Sequence, residues 1–231
     1  MRYTLPLPPV ISVPVVGSDA RFPVHRIYCV GRNYAEHAQE MGQSGSEPPV
    51  FFLKPADATL AVEAGATGEL PYPPLTRELH HEVELVVAVG EGGRNIAADQ
   101  APRHVFGYAV GLDMTRRDLQ AQMKQRGGPW DIGKGFDHAA PIGPITPAAQ
   151  AGDITGGEIS LAVNGQLRQR GSLREMLWSV SRVISHLSTA WMLAPGDLIY
   201  TGTPAGVAAV QPGDLLEGRI TGLEALRVRV V

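Results

Sequence analysis

An α+β chain rich in β-strand is the fold class that the sequence predicts, and three observations carry it. Short apolar runs recur at residues 50–53, 84–89, 105–112, 198–200 and 225–231, and runs of that length and composition read as buried strands. The 231 residues include 27 Gly and 19 Pro, which imposes many turns and keeps strands short. Helical spacing is confined to three main stretches, residues 34–41, 114–125 and 172–191.

The length suits one domain with a small appendage: an arm and hairpin over residues 1–25 and a main domain over 26–231. Hydrophobic residues make up 44% and charged residues 19%, an ordinary globular balance. A net charge of −3 gives no electrostatic basis for a nucleic-acid partner. The single cysteine, Cys29, fits a reducing compartment and reads as a small buried packing residue. No charged-then-apolar leader and no apolar run of 18 residues occurs, so the expectation is a cytoplasmic protein with no membrane partner.

In chain order, Pro6, Pro8, Pro9 and Pro14 predict an extended arm. Residues 13–24 predict a hairpin around Gly17 to Ala20, and residues 26–30 a strand. Asn33 is placed to cap a helix running through Met41, with Glu36 in capping-box position. His37 and Glu40, three apart, share a face of that helix; this is a spacing that suits a general base and its orienting acid, and equally an exposed surface pair. Residues 42–49 form a loop of the kind that serves as a lid. The strand at 50–53 delivers Lys54, residues 56–79 look irregular, and residues 98–104 predict a short helix.

Asp113 ends the strand at 105–112, and Asp113, Arg117, Gln120 and Lys124 follow at helical intervals, one polar stripe on a helix from about Met114. Gly127 and Gly128 break it, and Lys134 lies between Gly133 and Gly135, where backbone can approach a ligand. Asn164-Gly165 predicts a type I′ hairpin. Residues 172–191 predict the clearest helix, opened by a capping box of Ser172 and Glu175. The loop from Thr201 to Gly206 offers N–H groups and hydroxyls, Thr203 among them, to a carboxylate. It lacks the Gly-Lys-Ser/Thr ending of a nucleotide loop.

The chemistry centres on Glu82 and Glu84, two apart at the mouth of a buried strand and so on one face. Alone, such a pair is also met at exposed strand ends. With Asp113 it forms an all-oxygen set that suits Mg²⁺ or Mn²⁺ better than zinc. Lys54, Arg117, Lys134 and Thr203 suit an anionic substrate.

Several stretches, taken together and in order, resemble the fumarylacetoacetate hydrolase family: Gly31-Arg32-Asn33-Tyr34 with His37, Phe52-Leu53-Lys54-Pro55, His81-Glu82-Val83-Glu84-Leu85, Leu112-Asp113-Met114-Thr115, Gly133-Lys134 and Thr201-Gly202-Thr203-Pro204. The short length, Phe136 and the run from Ala140 to Pro144 resemble its fumarylpyruvate hydrolase and acylpyruvase branch. The resemblance implies a mixed β-sandwich roll with few helices and a homodimer. It implies one Mg²⁺ or Mn²⁺ per subunit on Glu82, Glu84 and Asp113, and water activation by His37 and Glu40 with Lys134 as a further catalytic group. Arg32, Lys54, Arg117, Gln120 and Thr203 fall where the family holds substrate. The implied activity is C–C hydrolysis of acylpyruvates, fumarylpyruvate foremost, with oxaloacetate decarboxylation and diene isomerisation as relatives of the same chemistry.

Overall fold

Strand β8 (Val83–Val89) is buried at all seven positions, and the rest of the molecule is layered on its two faces. Val83, Leu85, Val87 and Val89 enter one hydrophobic core, whereas Val86 and Ala88 enter a second. This is the period-two alternation of a strand covered on both sides. The fold is known from a computed structural model that describes residues 2–35 and 49–231.

Strands are numbered in chain order. The main sheet runs β4 (Val50–Lys54), β3 (Ile27–Gly31), β15 (Leu198–Tyr200), β8, β9 (Val105–Leu112), β11 (Ala140–Ile142), β5 (Thr59–Ala61), with β12 (Thr146–Pro147) also on β9. The β3–β15 and β11–β5 pairs are parallel and the others antiparallel. A second sheet runs β14 (Gln166–Ser172), β13 (Glu158–Val163), β17 (Leu215–Ile220), β18 (Leu226–Val230), β6 (Gly68–Leu70). Its Ile159, Leu161, Leu216, Val228 and Val230 meet the odd-numbered residues of β8 in the larger core. Three short strands, β10 (Thr115–Arg116), β7 (Leu79–His80) and β16 (Ala209–Val210), form a third sheet. The hairpin β1 (Ser12–Pro14) and β2 (Arg21–Pro23) sets Val13 and Phe22 in the second core beside Ile27, Cys29 and Tyr200. The fold is therefore the β-rich sandwich roll that the resemblance implies.

Four α-helices occur among the described residues: α1 (Arg117–Arg126), α2 (Asp131–Lys134), α3 (Ala148–Ala151) and α4 (Val180–Ala190). None is long and apolar enough to cross a membrane. The Asn164-Gly165 hairpin is as expected, with φ of 51° and 77° at its two turn residues.

Four expectations need correction. The helix expected over residues 172–191 begins only at Val180. The Ser172/Glu175 capping box exists, but it closes a single 3₁₀ turn, Leu173–Glu175. Met176 is then drawn into an antiparallel bridge with Tyr34, and the Leu177 and Trp178 N–H groups donate to Asn33. Residues 56–79 are not irregular throughout, because they carry β5, β6 and the start of β7. The stretch 98–104 holds a 3₁₀ turn, Ala101–His104. Helix α1 starts at Arg117 instead of Met114, because Thr115 and Arg116 pair with β7. Asp113 is thus off the helix.

Candidate metal and substrate site

The antiparallel β8–β9 register sets Glu84 opposite Gly111, and the Asp113 N–H donates to the Glu82 carbonyl at 2.9 Å, carrying the pairing one step past the strand ends. Residues two apart on a strand, and residues directly opposite across a pair, share a face. Glu82, Glu84 and Asp113 therefore converge. One oxygen from each lies within 4.8 Å of the others, and all three residues are buried.

Three buried like charges repel and are desolvated. Burial first, then the charges of Asp113 and Glu82, push the Glu84 carboxyl well above the usual carboxylate range. Glu84 Oε2 accepts a 2.8 Å bond from the Gly202 N–H, and Gly202 makes that turn with φ of 98°. The carboxylate recognition expected of the Thr201–Gly206 loop thus falls on the protein's own Glu84. Asp113 Oδ1 lies 2.8 Å from Lys54 Nζ but has no partner in hydrogen-bond geometry among the described residues. A buried acidic oxygen without a hydrogen bond, in an all-oxygen set, fits a hard divalent cation. These three carboxylates can hold one.

Cations surround the cluster. Lys134 Nζ bridges Glu82 Oε2 at 2.8 Å and Asp113 Oδ2 at 2.6 Å. Burial pulls the Lys134 ammonium down, but the charges of Asp113 and Glu82 outweigh this and raise it, so it stays protonated. Lys54 is fully enclosed, donating to the carbonyls of Met114 (3.1 Å) and Lys134. Arg117 pairs with Glu82, donates to Gln120 Oε1 at 2.6 Å, and directs Nε at His80 Nδ1, 3.5 Å away. Burial and the Arg117 charge lower His80 to about 4, leaving it neutral and able to accept.

Local sequence explains how these groups arrive. Gly127 ends α1 with φ of 65°, its N–H on Lys124 and Met123 carbonyls. The chain turns back into α2, whose single turn presents Lys134. A Cβ on Gly133 would lie 3.0 Å from the Gln120 backbone. The glycine expected to admit a ligand instead lets α2 pack on α1.

Glu82, Glu84, Asp113, Arg117, Gln120, Lys134, Thr203 and Arg32 line one cleft, with Lys124, Val30, Phe52 and Trp130 as further walls. Arg32 holds a left-handed backbone, φ 66°, the kind of strain that clusters at functional sites. Lys54 lies behind Asp113 and does not line the cleft. The Thr203 hydroxyl donates to the Val83 carbonyl at 2.8 Å, so its proton is committed. His37, Glu40 and the loop as far as Pro48 lie outside the described residues.

One buried residue escaped sequence reasoning. Gln169 Oε1 accepts from the Val83 N–H at 3.0 Å and meets His81 Nδ1 at 2.8 Å, while its Nε2 donates to Thr203 Oγ1 and the Pro204 carbonyl, both at 2.8 Å. It ties the acidic strand to the Thr203 loop. A register shift in the β13–β14 pair, opposite Arg168, turns it inward. In sequence it stands between two arginines of a surface hairpin, and no pattern marks it.

Comparison with known proteins agrees with this geometry. The profile of the fumarylacetoacetate (FAA) hydrolase C-terminal domain matches residues 26–231. The crystal structure of fumarylpyruvate hydrolase from Pseudomonas aeruginosa, in complex with Mn²⁺ and pyruvate, is 53% identical; the match covers 100% of this chain and 99% of that one, with a TM-score of 0.98. A fumarylpyruvate hydrolase of Ralstonia sp. is 44% identical over 78% of this chain and 92% of its own. A mitochondrial oxaloacetate tautomerase of Arabidopsis thaliana is 43% identical over 89% of this chain and 90% of its own. With the acidic triad, its cationic surround and the sandwich roll in place, the chain belongs to the fumarylacetoacetate hydrolase family.

Proposed function

We propose that this protein is a metal-dependent acylpyruvate hydrolase that cleaves fumarylpyruvate to fumarate and pyruvate. The observation that carries the reading is the buried Glu82–Glu84–Asp113 cluster in a cationic cleft; the full-length match to a fumarylpyruvate hydrolase favours the acyl group. An Mg²⁺ or Mn²⁺ ion held by the three carboxylates supplies Lewis-acid stabilisation of negative charge at the 1-carboxylate and 2-oxo end of the substrate.

The chain's own residues do the remainder. Arg117, kept beside the cluster by Glu82, and Gln120 orient the substrate head. Arg32 and Thr203 complete the walls around it, and Lys54 fixes Asp113 from behind. His37, oriented by Glu40 in the family resemblance, takes a proton from water. The water oxygen bonds to C4, and the protonated Lys134 stabilises the oxyanion. The oxyanion then re-forms the C4 carbonyl as the fumarate carboxyl, the C3–C4 bond breaks with its electron pair passing to C3, and C3 takes the proton held by His37 to give pyruvate. Exposed Tyr3, Leu5, Leu7 and Val10 on the N-terminal arm support a homodimer that covers them.

A second reading, oxaloacetate chemistry without an attacking water, is favoured by the Arabidopsis relative. The test is to strip the protein with EDTA, restore Mg²⁺ or Mn²⁺, and offer fumarylpyruvate and oxaloacetate in parallel. Pyruvate release and oxaloacetate enol–keto exchange are both followed. Metal-dependent pyruvate release chiefly from fumarylpyruvate is expected. Rapid oxaloacetate turnover with none of fumarylpyruvate would replace the first reading with the second.

A further inference from the structure

Fumarylpyruvate carries a carboxylate at each end, so this inference rests on the functional reading above. The carboxylate and 2-oxo end belongs to the acidic cluster and its ion. The far carboxylate needs a cation of its own. Arg117 and Lys134 are committed to Glu82 and Asp113, and Lys54 is enclosed behind them. Lys124 differs from all three. It is exposed, it lines the same cleft, and among the described residues its ammonium has no ion-pair or hydrogen-bond partner.

Its position on α1 has a consequence for substrate length. Lys124 follows Gln120 by four residues and Arg117 by seven, so the three share one helical face toward the cleft. At a rise of about 1.5 Å per residue, Lys124 stands about 10 Å further along the axis than Arg117. In an extended seven-carbon dioxo diacid, six bonds advancing about 1.2 Å each put the carboxylate carbons about 7 Å apart. A flexible lysine stem closes the remaining gap. In oxaloacetate the same spacing is only about 4 Å, which leaves its second carboxylate near the cluster. Between the two ends, Phe52 and Trp130, with ring centroids 5.7 Å apart, offer flat apolar walls to a planar enoyl group.

We propose that Lys124 is a specificity-determining residue that binds the distal carboxylate of a long dicarboxylic acylpyruvate, with helix α1 setting the distance from the cluster. A charge-assisted contact at the rim of a cleft is worth about tenfold in affinity. The metal-loaded full-length protein and its Lys124→Ala, Lys124→Glu and Lys124→Arg variants are compared by steady-state hydrolysis of fumarylpyruvate. Oxalate, which reaches only the cluster, serves as competitive inhibitor. Lys124→Ala is expected to raise KM about tenfold with kcat within about twofold, and Lys124→Glu to raise it further. Lys124→Arg should stay near the unaltered protein, and the oxalate inhibition constant should hold throughout. An unchanged KM in Lys124→Ala, or an equal loss of oxalate binding, overturns the subsite alone. No fumarylpyruvate turnover by the unaltered protein overturns the functional reading and the subsite with it.

Discussion

Asp197 is as deeply buried as Asp113, with relative exposures of 0% and 1%, yet the two carboxylates are built for different ends. Asp197 accepts four hydrogen bonds, from His25 Nδ1 (2.8 Å), Arg26 Nε (3.0 Å), Arg26 Nη2 (2.8 Å) and the Ala194 N–H (2.8 Å). Both oxygens are filled, and the bond to Asp197 raises the Arg26 guanidinium against its partial burial. That cluster locks the Pro195–Asp197 turn to the start of β3 and has no capacity left for a ligand. Asp113, by contrast, shares Lys134 with Glu82 and leaves Oδ1 beside Lys54 but with no hydrogen bond among the described residues, next to a Glu84 whose ionisation burial and its acidic neighbours oppose. A buried charge with every lone pair matched stabilises the fold. Buried carboxylates crowded together with lone pairs left unmatched, even beside ammonium and guanidinium groups, lower stability and leave oxygens open to a cation.

This contrast separates variants by what they lose. The largest effect is expected for Glu84→Gln, which removes one of the opposed charges. Turnover should fall by about a thousandfold or more, while the metal-stripped variant unfolds at the same denaturant concentration as the stripped unaltered protein or a higher one. A lower midpoint would show that Glu84 stabilises the fold as Asp197 does. Asp197→Ala should act the other way and cost about 3 kcal/mol, because it strands Arg26 and an N–H group. Urea unfolding gives that figure, and Mn²⁺ titration of the folded fraction should show an unaltered affinity.

Gln169→Ala comes next. It loosens the joint between Val83 and Thr203 without touching an acidic oxygen, so Mn²⁺ affinity should drop between about ten- and a hundredfold, the range for residues that orient metal ligands. Loss of stability with undiminished Mn²⁺ affinity would make Gln169 a packing residue only. Asp118 gives the smallest effect. It does not line the cleft, and it accepts from the Thr76 hydroxyl (2.6 Å) and the N–H groups of Arg77 (3.1 Å) and Leu119 (2.9 Å). Burial opposes its ionisation, but those bonds outweigh it and lower its carboxyl below the ordinary value of 3.8. Its contribution is therefore complete above pH 3.8 and fades as pH falls through the lower folded value. Asp118→Ala should lose about 1 kcal/mol at pH 7 and progressively less in acid. A loss that grew in acid would contradict the assignment.

The same contrast explains how much was legible in the sequence. The acidic triad was, because strand ends and period-two spacing bring Glu82, Glu84 and Asp113 together through local rules. Lys134 and Arg117 were visible as residue types beside glycines and on a helical stripe, although Asp113 proved to stand off that stripe. The failures share one cause. Residues 176–178 leave a strong helical pattern because Asn33 and Tyr34, far away in sequence, take their backbone bonds. Strands β5 and β6 are short pieces that exist by parallel pairing with β11 and β18. Gln169 acts only across the gap between two sheets. Long-range partners override local propensity in each case.

The most direct test of the account is calorimetric titration of Mn²⁺ into EDTA-stripped protein, unaltered and Glu84→Gln. One ion per chain is expected for the unaltered protein, with affinity reduced by about a hundredfold or more in the variant. Binding that is absent from the first, or equal in both, would contradict the assignment of the buried carboxylates to a metal.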